Sequence, residues 1–158
     1  MIQRLLPLLL LVAACTFEPP VTFDILDYGA REGQVCTEAI QAALDAATPG
    51  SRVLIPEGTF RSGTLYLKPG VELYLAKGSC LQGVDDPEAY APYIPQSDLT
   101  RYDSGNGTAN ANCVNDRQWM KAFLIGDRID GASISGEGTI DGSHVFDERG
   151  EENMRGPH

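Results

Sequence analysis

The chain has 158 residues, 42% of them apolar, 8% aromatic and 22% charged, with a formal charge of −10 and a pI near 4.5. Its length and apolar share suffice for one domain with a packed core and exclude a disordered polymer. The acidic balance argues against a nucleic-acid partner, because phosphate binding needs clustered Lys and Arg.

The first residues, MIQRLLPLLLLVAAC, read as a secretory signal peptide over 1–14. Arg4 is its positive start, and Leu5 to Val12 form an apolar run broken only by Pro7. That run is too short to span a bilayer. Val12-Ala13-Ala14-Cys15 resembles a bacterial lipobox. Cys15 is therefore the expected lipidation site, the acylated first residue of a mature lipoprotein, with residues 15–20 as its tether. This implies export across the inner membrane and a membrane partner through the lipid anchor, at the outer membrane, in the periplasm or on the cell surface. An ordinary signal peptide with a cysteine near its cut is the plainer alternative. Without Cys15, Cys36, Cys80 and Cys113 remain, which allows at most one disulfide and leaves the pairing of Cys36 with Cys80 open. His144 and His158 are the only histidines and have no zinc-type spacing, so neither a metal nor a cofactor is expected.

Val21 to Ile25 alternates as a strand. Thr37 is placed to cap a helix, with Glu38 in the first turn against the positive end of the helix dipole. Ile40, Ala43, Leu44 and Ala47 share one face of it, while Glu38, Gln41 and Asp45 lie elsewhere. Pro49-Gly50 stops it.

From Ser51 the pattern changes to short β-prone runs: RVLIPEGTF, GTLYLKPG, VELYLAKGSCLQG and AFLIGDRIDGASISGEGTIDG. Pro56-Glu57-Gly58, Lys68-Pro69-Gly70, Ala76-Lys77-Gly78 and Gly136-Glu137-Gly138 punctuate them. None is a two-residue hairpin turn of the Asn-Gly or Asp-Gly type. A chain that repeats strand, bend, strand in this way winds, as solenoids do. The expectation is an all-β parallel β-helix with Leu65, Leu67, Leu73, Leu75, Ile134 and Ile140 pointing inward and one N-terminal capping α-helix over the first coil. Residues 85–118, rich in Asp, Asn, Gly, Pro and Tyr, read as a long loop leaving the coils. It contains a formal glycosylation sequon at Asn106-Gly107-Thr108, which carries little weight behind a lipobox.

The order FDILDYGA, TEAIQAALDAA, RVLIPEGTFRSGTLYLKPGVELYLAKGSCLQGVDDPEAY, ISGEGTIDG and RGPH resembles the N-terminal part of glycoside hydrolase family 28, the polygalacturonase family. The resemblance runs from about residue 21 to the end and is interrupted by the long loop. It implies a right-handed single-stranded parallel β-helix of the pectin-lyase-like type, with residues 21–158 as an N-terminal portion. It also implies a pectic polysaccharide partner, cleaved at galacturonic acid by inverting hydrolysis. Inversion needs an acid to protonate the leaving oxygen and a carboxylate on the opposite face to activate water. The family supplies these from an Asn-Thr-Asp segment and an Asp-Asp pair, with Gly-His-Gly and Arg-Ile-Lys segments beside them.

No Asn-Thr-Asp, Gly-His-Gly or Arg-Ile-Lys segment occurs in this chain. Asp85-Asp86 sits in a stretch that matches a pre-catalytic part of the family. Arg128-Ile129-Asp130 ends in the wrong charge, and His144 is flanked by Ser143 and Val145. No catalytic residue is therefore assigned, and the chain alone is expected to be inactive. Glu137 and Asp141 read as turn positions on the outside of a coil, as do Asp127 and Asp130. Asp147, Glu148, Glu151 and Glu152 read as a solvated loop. Tyr66, Tyr74 and Trp119 could stack on sugars but are read as packing. A pectate-lyase-like enzyme on the same fold, or a non-catalytic saccharide-binding or adhesin-type stub, are the alternatives.

Overall fold

The chain winds in coils whose short strands fall on three sheets, and all the named strand pairings are parallel. The structure, a computed structural model, describes residues 18–91 and 121–143. The expected signal peptide 1–14, Cys15, Cys113, the sequon at Asn106, Trp119, His144 and the acidic cluster 147–152 lie outside the described residues, as does the part of the expected long loop from residue 92 on. The strands are β1 (Thr22–Asp24), β2 (Arg52–Ile55), β3 (Gly58–Ser62), β4 (Leu65–Tyr66), β5 (Glu72–Leu75), β6 (Ser79–Gly83), β7 (Leu124–Ile125), β8 (Ser133–Gly136) and β9 (Thr139–Asp141). Among the described residues one α-helix, α1 (Thr37–Ala46), lies between β1 and β2. The first sheet runs β1-β2-β5-β8, the second β3-β6-β9 and the third β4-β7. This is the expected parallel β-helix.

Period-2 alternation sets which residues enter the core. Val53 pairs with Leu73, which pairs with Ile134; Phe60 pairs with Leu81, which pairs with Ile140. Val53, Phe60, Leu73 and Leu81 are fully buried, as are Leu65 and Ile55, with Leu75 close behind. Leu67 is half-buried against them. Ile134 and Ile140 hold the same inward ladder positions yet remain 44% and 41% exposed. The reason is that, among the described residues, β8 and β9 are the outermost strands of their sheets, each with a neighbour on one side only.

At the corner before the first sheet a column of glycines stacks in register. Gly50, Gly70 and Gly131 all have positive φ, at 86°, 67° and 68°. Gly50 N–H donates to Gly70 O and Gly70 N–H donates to Asp130 O, both at 2.8 Å. A Cβ on Gly70 would meet Pro49 Cβ at 2.9 Å. The left-handed backbone and the close approach both require glycine there.

Two details differ from the expectation, and one point left open is decided. Ile25 does not extend β1: Asp24 accepts a hydrogen bond from Leu26 N–H and starts a 3-10 turn over Ile25–Tyr28, with Ile25 still buried. Thr37 does not cap α1. Cys36 occupies that position without a side-chain hydrogen bond, and Thr37 Oγ1 instead accepts from Gly63 N–H at 2.8 Å. Cys36 and Cys80 do not pair: both are free thiols, Cys36 buried against the Arg31 and Gln34 carbonyls and Cys80 half-buried on β6.

α1 buries Ile40, Ala43 and Leu44. Its Gln41 amide bonds the backbone of β4 twice, accepting from Tyr66 N–H at 2.8 Å and donating to Tyr66 O at 3.2 Å. These are the two bonds a neighbouring strand would have made. Among the described residues, no helix is long and apolar enough to cross a membrane.

Candidate functional site

Glu137 and Asp141, four residues apart, do not form a pair on one sheet. Glu137 is exposed at the bend between β8 and β9, where its N–H donates to Leu75 O. Asp141 ends β9 on the next sheet. The four-residue spacing thus straddles a corner of the coil. Asp141 Oδ1 accepts from Ser143 N–H at 2.8 Å and Oδ2 accepts from Gln82 Nε2 at 3.2 Å. The Ser143 bond foremost, then Gln82, lowers its pKa. That shift is opposite to what a proton-donating general acid needs.

Asp85 and Asp86 are exposed, and Asp86 caps a 3-10 turn over Pro87–Ala89 by accepting from Glu88 N–H at 2.9 Å. Asp127 lies 3.8 Å from Arg128 Nε, and Arg128 has φ 52° at the bend after β7. Asp130 contributes its carbonyl to the glycine corner. Among the described residues, no group of three His, Cys, Asp or Glu is placed to hold a metal.

The aromatic residues divide. Tyr66 is 39% exposed on β4, while its backbone is held by Gln41. Tyr74 is half-buried on the outer face of the first sheet, with the Arg52 guanidinium 4.0 Å from its ring centroid. Arg52 Nε donates to Glu72 Oε2 at 2.7 Å, and Ser135 Oγ donates to Glu72 Oε1. Arg52, Glu72 and Ser133 share one ladder position, and Leu54, Tyr74 and Ser135 share the next outward one. A cation, a carboxylate, a ring and a hydroxyl from three coils thereby satisfy one another. Sequence reasoning did not single out Arg52 and Glu72. The signal was their spacing of one coil, legible only after the register is known.

A second unforeseen cluster closes the long loop at its base. Tyr90 is buried, donates its hydroxyl to Val84 O at 2.9 Å and packs edge-on against Phe123 with ring centroids 6.3 Å apart. Lys121 Nζ donates to Pro87 O at 2.7 Å, and Thr64 Oγ1 donates to Ala122 O at 2.8 Å. The loop therefore leaves after β6 and returns before β7 within one coil, without breaking the β4-β7 pairing.

No family model matches the chain. It is 39% identical over 88 residues to an exo-poly-alpha-D-galacturonosidase of Dickeya chrysanthemi, covering 52% of this chain and 15% of that protein. It is 28% identical over 124 residues to a polygalacturonase of Ralstonia solanacearum, covering 75% of this chain and 21% of that one. The matched region is thus about a fifth or less of the length of these curated relatives. Among solved structures it resembles the family 28 exopolygalacturonase of Yersinia enterocolitica with a TM-score of 0.60 and 26% identity, over 84% of this chain and 24% of that one. In sequence and in fold, this chain is glycoside hydrolase family 28-like.

Proposed function

We propose that this chain forms the N-terminal coils of a secreted, lipid-anchored glycoside hydrolase that acts on pectic polysaccharide. The observation that carries the reading is the likeness to the family 28 exopolygalacturonase over 84% of the chain. The winding is right-handed, α1 caps the first coil, and further coils stack on β8 and β9 over Ile134 and Ile140. Those coils hold the carboxylates for inverting hydrolysis, one as acid and one as base on opposite faces of the sugar. Asp141, Glu137 and the Asp85-Asp86 pair take no part in the reaction.

The test is reducing-end release from polygalacturonate. The purified 158-residue chain is expected to release none, and a polypeptide continued through Asn-Thr-Asp and Asp-Asp segments is expected to be active. Release by the 158-residue chain itself would overturn this placement of the chemistry. Anchoring rests on the lipobox-like Val12-Ala13-Ala14-Cys15 segment. Metabolic labelling with palmitate should mark the wild-type chain and not Cys15→Ser; equal labelling of both would refute the anchor.

A further inference from the structure

We draw no further inference here: the strongest candidate, the outermost rung of β8 and β9 with Ile134 and Ile140 exposed at one end of the coil stack, is already taken up above as the seat of a further coil, and nothing in the structure shows any other occupant.

Discussion

Arg52 and Glu72 stand one coil apart in the same ladder position and meet at 2.7 Å, Nε to Oε2, on a half-buried outer face. The Arg52 bond first, then the Ser135 hydroxyl, lowers the Glu72 pKa, and desolvation only partly opposes them. A carboxylate whose folded pKa is depressed stabilises the fold above its unfolded pKa and loses that contribution as pH falls toward the folded value. The loss should therefore begin below about pH 4.3, the ordinary value for Glu. Glu72→Gln is expected to cost no more than about 1 kcal/mol at pH 7, as for partly exposed ion pairs. Urea denaturation at pH 7 and at about pH 3.5 checks this. The wild-type advantage over Glu72→Gln should shrink at the lower pH, and an advantage that grows on acidification would contradict the assignment.

The Gln41 amide gives α1 a polar attachment to the edge of β4. Gln41→Ala removes both bonds to Tyr66 and leaves its backbone N–H to water or to nothing. A loss of about 1–2 kcal/mol is expected, the scale for two partly solvated hydrogen bonds. Equilibrium denaturation measures it. A wild-type midpoint in the Ala variant would mean that water replaces the amide without penalty.

Gly136 has φ 108°, and a Cβ there would fall 1.9 Å from Leu75 O, a backbone atom that cannot move aside alone. Gly142 has open space around its Cβ position. Gly136→Ala should destabilise by about 3 kcal/mol or more, combining backbone strain with a clash. Gly142→Ala should change stability by less than about 0.5 kcal/mol. Similar melting temperatures for the two variants would show that the bend after β8 is not held as described.

Leu73 and Ile134 occupy one ladder, the first fully buried and the second 44% exposed. Leu73→Ala should cost about 2–5 kcal/mol, the range for a buried leucine, whereas Ile134→Ala in this chain should cost less than about 1.5 kcal/mol. In a polypeptide that carries a further coil, the Ile134 value should rise toward the Leu73 value. A cost that stays small there would mean that no coil stacks on β8.

Much of the architecture is visible in the residues themselves. The bends at Pro49-Gly50, Pro69-Gly70 and Asp130-Gly131 are written in turn residues, and they stack as one corner. The inward Val53, Ile55, Leu73 and Leu75 follow from period-2 alternation in four-residue strands. What local sequence could not carry was anything set by register between coils. Leu73 and Ile134 both read as inward, but their burial differs because, among the described residues, β8 has one neighbour and β5 has two. Thr37 has the chemistry of a cap and was drawn instead to the Gly63 N–H, a partner 26 positions away. Arg52 and Glu72 look like ordinary surface charges until their strands are laid side by side. The site follows the same logic: Glu137 and Asp141 are neighbours by count and are separated by the turn of a corner.

The base of the long loop bears on how this molecule tolerates change. Tyr90 with Phe123 and Lys121 with Pro87 tie departure to return and Thr64 ties the returning chain to the preceding rung, so the rung from β6 to β7 closes whatever length of chain lies between them. Evolutionary drift in the number of residues there should leave the stacking undisturbed, while the tie points themselves are not free to vary. Ornament can accumulate at that one station along the coil without the scaffold registering its presence.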